Sequence, residues 1–285
     1  MQMPLLSPAT TERVCVYAGY SFGTLRHAAA SGFGEYLTGL VVTPRWVPRM
    51  VSELRLVDGA PPDAVWCDDS PLHDAGVTRY EAPAIGERII LDNGAFPAWK
   101  RGEVMTLGEQ LDGLHAALEV IEPEWIVAPD VVADPHKTWA RLCACQLELE
   151  RYGLDRLLLP VQDGMSVARV AAMARDLRCG IFVGGSGWCF KRSALVALRD
   201  EGVRWVHVGR ARSASQLEAC AELGADSCDS SSWLRAQHNN VARRDTYRRA
   251  LVEHAHRRPS PVDEDTSPPS VPHQSTTVDR LGWRS

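Results

Sequence analysis

Carboxylates and glycines recur in short clusters along this 285-residue chain, and all but the last cluster follow a short, mostly apolar run. Asp92-Asn93-Gly94-Ala95-Phe96 follows the run 88–91, and Pro129-Asp130 follows 125–128. Gln162-Asp163-Gly164 comes after 157–161, Gly184-Gly185-Ser186-Gly187 after 180–183, and Gly209-Arg210 after 205–208. The last cluster, Asp226-Ser227-Cys228-Asp229, runs on into Ser230-Ser231-Ser232-Trp233. Two carboxylates in a partly closed site can divide a substitution reaction, one as nucleophile and one moving a proton. Glycines let a flat ligand approach the backbone and use its N–H and C=O groups. Taken singly, an aspartate after a strand is more often a helix cap or turn former than a catalyst. The repetition of the pattern, cluster after cluster, favours chemistry.

Such clusters work together only if the chain brings them to one surface. Eight short, nearly all-apolar runs are candidate strands: 14–17, 39–43, 88–91, 125–128, 157–161, 180–183, 205–208 and 225–228. Their composition fits strands buried on both faces. Helical periods separate them. Leu107, Leu111, Leu114, Leu118 and Ile121 form one stripe, and Val167, Val170, Ala174 and Leu177 form another. Ser213 is placed to cap a helix that Gly224 would end. Eight alternations of strand and helix predict an α/β fold, a closed (β/α)8 TIM-type barrel, whose active site lies at the C-terminal ends of the strands. The stretch 45–87 is the least regular. The alternative is a doubly wound open sheet, but Ala18-Gly19-Tyr20-Ser21-Phe22-Gly23 matches its glycine-rich first turn poorly.

Composition bounds the setting. With 45% hydrophobic and 24% charged residues the chain has an ordinary globular balance. No apolar run approaches the ~20 residues of a membrane helix. The start, Met1-Gln2-Met3-Pro4, does not read as a secretory signal, and eight cysteines without one read as cytoplasmic thiols. The net charge of −5 is unevenly placed. Seven arginines against Asp245 and Glu253 give 231–258 a net +5, which leaves 1–230 at −8 and 259–285 at −2. The expected organisation is a barrel over 1–258 that ends in a basic helix, then a disordered Pro/Ser-rich tail over 259–285.

The ordered clusters resemble those of the tRNA-guanine transglycosylase superfamily. Leu91-Asp92-Asn93-Gly94-Ala95-Phe96 is similar to its Asp-Ser-Gly-Gly-Phe motif, and Pro129-Asp130 occupies the place of its second base-recognising aspartate. Val161-Gln162-Asp163-Gly164 resembles Val-Gln-Gly-Gly, and Val183-Gly184-Gly185 resembles the Gly-Gly that contacts the base. His207-Val208-Gly209 resembles part of His-Tyr-Leu-Met-Gly. Gly224-Ala225-Asp226-Ser227-Cys228-Asp229 resembles the segment that ends in the nucleophile. The order holds over about residues 88–233, roughly half the chain. The tRNA enzymes' Cys-x-Cys-x-x-Cys zinc site is absent, because no cysteine follows Cys228. Cys143 and Cys145 supply too few ligands to replace it. The Asp-Ser-Ser-Ser-Trp ending looks more like the DNA-modifying branch, whose members exchange guanine in DNA for a 7-deazaguanine.

The resemblance implies a pentosyltransferase with Asp229 as nucleophile and Asp92 handling the proton. Asp130, Gln162, Gly184, Gly185 and His207 would bind the base. It implies no metal or redox cofactor. The expected partners are DNA, with RNA as the alternative polymer, and a 7-deazaguanine base. No membrane is expected, and a targeting protein stays an open partner. A target nucleotide must leave the duplex to reach such a pocket, so phosphate contacts are expected nearby. Arg243, Arg244, Arg248 and Arg249 are the first candidates, with Lys191, Arg192, Arg210 and Arg212 behind them; the competing role for the first four is a solvated wall helix. The rival functions are a tRNA-type exchange enzyme, a catalytically silent nucleic-acid-binding barrel, and a metabolic barrel using the glycines for phosphate.

Overall fold

An apolar run with both faces buried is stable as a parallel strand backed by helices, and eight of these close on themselves when each neighbours the next. The protein is described here by a computed structural model covering residues 13–20, 36–51, 88–145, 148, 156–230 and 241–256. All eight expected strands form: β1 (Cys15–Gly19), β2 (Gly39–Val42), β3 (Ile89–Leu91), β4 (Trp125–Val127), β5 (Leu157–Val161), β6 (Gly180–Val183), β7 (Val206–Val208) and β8 (Ser227–Asp229). Each pairs in parallel with its successor, and β8 pairs with β1, so the sheet is a closed (β/α)8 barrel rather than an open doubly wound sheet. The eighth strand starts two residues later than the expected 225–228, and Asp229 is its last residue.

The helices begin where the sequence supplies caps. After β3 come α1 (Ala95–Lys100) and α2 (Leu107–Leu118), the latter started by a reciprocal Thr106–Glu109 capping box. The side chains of Asp134, Ser166 and Ser213 accept the backbone N–H of Lys137, Arg169 and Gln216 to start α3 (Pro135–Ala144), α4 (Val167–Asp176) and α6 (Ala214–Glu222). Between the last two lies α5 (Trp188–Leu198). The left-handed Gly224, at φ +74°, follows α6 as expected. The basic segment forms α7 (Val241–His254). Its buried stripe, Tyr247, Ala250, Leu251 and His254, faces inward. Its end meets the start of β1, where the Val14 N–H donates to the His254 carbonyl and the His256 N–H to that of Val14. Thus α7 is the wall helix that closes the ring.

Alternate strand residues serve two cores. One set, including Val16, Leu40, Leu91 and Val183, packs outward against the helices. The other set, Tyr17, Val41, Ile90, Trp125, Val127 and Leu158, fills the barrel with Phe182 and Trp205 against it. At the floor, the Tyr17 hydroxyl and Arg88 Nε both donate to Glu124 Oε2, at 2.8 and 2.9 Å. The period of two then carries the inner face upward from Ile90 to Asp92, from Phe182 to Gly184, and from Ser227 to Asp229. The chemistry-bearing side chains therefore point into the mouth at the C-terminal ends of the strands. The 259–285 tail and the segments 21–35, 52–87 and 231–240 lie outside the described residues. Among the described residues no helix is long and apolar enough to cross a membrane.

Candidate active site

Asp229 ends β8 with its side chain nearly buried at the base of the mouth. Its Oδ1 collects two donors: the Arg210 backbone N–H at 3.1 Å and His207 Nε2 at 3.1 Å. His207 is fully buried, stacked on Phe182 with 5.3 Å between ring centroids. Its Nδ1 lies 2.8 Å from Ser227 Oγ, which also accepts the Trp205 indole N–H at 2.9 Å. The register β7–β8 sets His207 beside Ser227 and makes this chain of contacts. An indole can only donate. Ser227 therefore accepts from Trp205; a carboxylate oxygen only accepts, so the Nε2 facing Asp229 carries the imidazole hydrogen and Nδ1 accepts that of the Ser227 hydroxyl. A directed relay, Trp205 to Ser227 to His207 to Asp229, thus orients the carboxylate. Among the described residues Oδ2 has no partner, so it is the oxygen available to react.

Asp92 follows β3 and is half-buried. Its Oδ1 accepts the Gly94 N–H at 2.7 Å, so the aspartate also shapes the turn into α1. Burial pushes its carboxyl from 3.8 up to about 6, against the Gly94 hydrogen bond, and the charge of Asp229 adds to the rise. Asp130 is pushed further, to about 7, by burial first and by Asp92 second. The buried Asn93 side chain bridges the two loops, donating to Asp130 Oδ1 at 3.0 Å and to the Ala128 carbonyl at 2.7 Å. Gln110 Nε2 and Arg141 Nη1 hold the Asp130 carbonyl from behind, at 3.0 and 2.9 Å. The mouth therefore contains carboxyls that exchange protons near neutrality.

Gln162, expected at the base edge, is turned into the protein. Its Nε2 donates to the Val131 carbonyl at 2.8 Å and to Thr138 Oγ1 at 2.6 Å, and its Oε1 accepts the Ala133 N–H at 2.8 Å. Both donors are spent clamping the loop that carries Asp130, so the residue positions that loop rather than contacting a ligand through its amide. His207 likewise reaches the mouth only through Asp229. At the glycine pair, the Gly184 N–H continues the ladder to Val161. Gly185 sits at φ +82°, where an added Cβ would lie 2.6 Å from Asp163 Oδ2 and 2.7 Å from Phe190 Cδ1. Asp163 Oδ2 accepts the Ser186 N–H at 2.6 Å, a structural contact.

Two cations missing from the expected base site stand close to it. Lys191 is buried, donates to the Gly209 carbonyl, and has its ammonium pushed down to about 8 by burial and then by Arg210. Arg210 bends inward across the mouth, with its guanidinium donating to the Gly185 carbonyl at 2.6 Å. Of the arginines expected at phosphates, Arg248 and Arg249 are exposed. At 1.5 Å per residue they lie about 9 Å along the wall from the floor end of α7. Arg243 and Arg244 belong to the first turn of α7, and their side chains are outside the described set. Among the described residues no cluster of three or more His, Cys, Asp or Glu could hold a metal.

No family model and no curated protein matches the chain. Among solved structures it is similar to the BexX/CysO complex of Amycolatopsis orientalis, at 16% identity and a TM-score of 0.49 over 94% of this chain and 98% of that one. It is similar to deoxyribose phosphate aldolase from Aeropyrum pernix, at 15% identity and 0.46 over 77% and 86%. Tryptophan synthase from M. tuberculosis is similar at 16% and 0.44 over 86% and 94%. None of the three is a guanine transglycosylase.

Proposed function

We propose that the protein is an enzyme, a base-exchange transglycosylase that replaces guanine in DNA with a 7-deazaguanine through a covalent glycosyl–aspartate intermediate. The observation that carries this reading is the pairing of two unlike carboxyls in one barrel mouth. Asp229 is oriented by His207 and the Arg210 N–H with one oxygen free, while burial, with the charge of Asp229 adding to it, raises Asp92 to about 6.

In the proposed reaction Asp229 Oδ2 attacks C1′ of the target nucleotide. The C1′–N9 bond breaks, its electron pair leaves with guanine, and the protonated Asp92 supplies the proton that neutralises the departing base. Asp92, now a carboxylate, then takes the N9 proton of the incoming 7-deazaguanine as N9 attacks C1′. The ester bond to Asp229 breaks and its electron pair returns to Oδ2. Protons balance over the cycle, so the site needs a second carboxyl whose two protonation states are both accessible. Asp130, at about 7, can offer a donor or an acceptor to the base edge. The two bases are near-isosteres, so one pocket serves both.

Radiolabelled guanine with DNA, and separately with tRNA, tests the reading. Incorporation into DNA is expected, together with a denaturation-resistant protein–DNA adduct that Asp229→Asn abolishes; Asp92→Asn, which loses both proton transfers, should slow adduct formation and base exchange together. Incorporation into tRNA alone would move the substrate to RNA. Failure to incorporate into either would leave a binding barrel or a phosphate-site enzyme. An adduct surviving in Asp229→Asn would remove Asp229 from its role.

A further inference from the structure

Arg210 is one of three non-glycine residues, among the described residues, with a left-handed backbone, at φ +58°. The peptide between Gly209 and Arg210 is pinned at both ends: Lys191 donates to its carbonyl, and its N–H donates to Asp229 Oδ1. That peptide sends the side chain inward, across the barrel from β7 toward the loop after β3. The guanidinium carbon lies 4.2 Å from the centroid of the Phe96 ring, and Nη2 donates to the Gly185 carbonyl at 2.6 Å. Burial and Arg212 oppose its charge, while Asp229, Asp92 and Asp163 each attract it.

This environment is an aromatic face, a backbone carbonyl at its edge and a nearby carboxyl. It suits any flat group whose rim carries two or more N–H donors. A guanidinium is one such group. The N1–C2–N2 edge of guanine and of 7-deazaguanine is another, since it contains the same guanidine unit within a ring. We infer that the Arg210 side chain is a resident stand-in for the base: it fills the subsite over Phe96 in the free enzyme and must swing out before a purine-like ring can enter. The inference rests on the base-exchange reading for the identity of the ring.

The consequence is a competition. If the guanidinium holds the subsite about nine-tenths of the time, the apparent affinity for any base is about ten-fold weaker than the intrinsic one. A residue that instead binds the base would have the opposite effect, because its removal would weaken binding.

Equilibrium dialysis with radiolabelled guanine, and calorimetry with 7-deazaguanine, separate the two. The proteins compared are the wild-type chain, Arg210→Ala and Arg210→Gly. Glycine accepts the φ of +58° without strain, so Arg210→Gly retains the turn if alanine does not. Both variants are expected to bind the bases about ten-fold more tightly than wild type. Binding seen only in the variants supports the same conclusion. Wild-type binding that is unchanged or weakened in both variants overturns the stand-in role and leaves the base-exchange reading intact. Absence of binding in all three proteins overturns both. The base-exchange reading is also scored separately by the Asp229-dependent adduct.

Discussion

Asp92→Asn should make the protein more stable at pH 8 and leave it nearly unchanged at pH 4. The carboxyl rises from 3.8 to about 6 on folding, chiefly because burial disfavours its charge. A folded value above the unfolded one means that the folded state binds the additional proton. Stability from this group is therefore full below about pH 4, falls as pH rises to about 6, and stays lost above that. The full loss is about 3 kcal/mol, and solvent reaching the half-buried carboxyl lowers it to roughly 1–3 kcal/mol. Asparagine removes the charge and keeps the Oδ1 acceptor that receives the Gly94 N–H. For a domain of this size the gain corresponds to roughly 3–10 °C in Tm. Urea unfolding of both proteins at pH 4, 6 and 8 measures it. An advantage of equal size at every pH, or a variant less stable at pH 8, would refute the argument that the mouth holds Asp92 against its preferred state. The same variant should also exchange bases more slowly, linking the destabilising charge to turnover.

Two further outcomes follow from packing and charge. Gly39→Ala should cost at least about 3 kcal/mol, measured by urea unfolding, because its Cβ would lie 2.0 Å from the Arg88 carbonyl oxygen, which is backbone and cannot rotate away. Arg248→Glu with Arg249→Glu should weaken DNA binding and flatten its salt dependence, by about one unit of slope for each phosphate that the two arginines neutralise; an unchanged slope in a salt titration would assign both residues to a solvated wall.

Much of the barrel was legible because buried parallel strands have a simple signature. The run 157–161 and the run 180–183 coincide with β5 and β6, residue for residue. Ser213 and Gly224 bound α6 because capping is a local property of a few residues. The site was legible as a set of strand-end positions, but not as a set of contacts. Gln162 illustrates the limit. A buried amide can face a ligand or a neighbouring loop, and only the approach of Val131, Ala133 and Thr138 decides between them. The Trp205–Ser227–His207 relay needed the β7–β8 register, which no single strand encodes. Counting by twos from Trp205 and from Ser227 would have placed His207 and Asp229 on one face and signalled their pairing. Arg210 reads in the sequence as a cation for phosphate; its inward course depends on a left-handed backbone that an arginine does not advertise.

The raised carboxyls also bear on how an acidic protein would admit the polyanion of the proposed reaction. Residues 1–230 carry a net charge of −8, and Asp92, Asp130 and Asp229 converge at the mouth. Three full negative charges there would repel the phosphates flanking an extruded nucleotide. With Asp92 near 6 and Asp130 near 7, protons neutralise part of that charge close to neutrality, and Lys191 and Arg210 offset more. Nucleic-acid binding should therefore strengthen as pH falls from 8 to 6. Where binding takes up one proton, the affinity gain approaches ten-fold per pH unit. Titrations at fixed ionic strength would show the slope, and the Asp92→Asn, Asp130→Asn double variant should be tighter at pH 8 and keep only the shallower rise that protonation of Lys191 near 8 contributes. A wild-type affinity that is level over this interval would mean that phosphates approach elsewhere. In that case the mouth's protons would serve only the proposed exchange step.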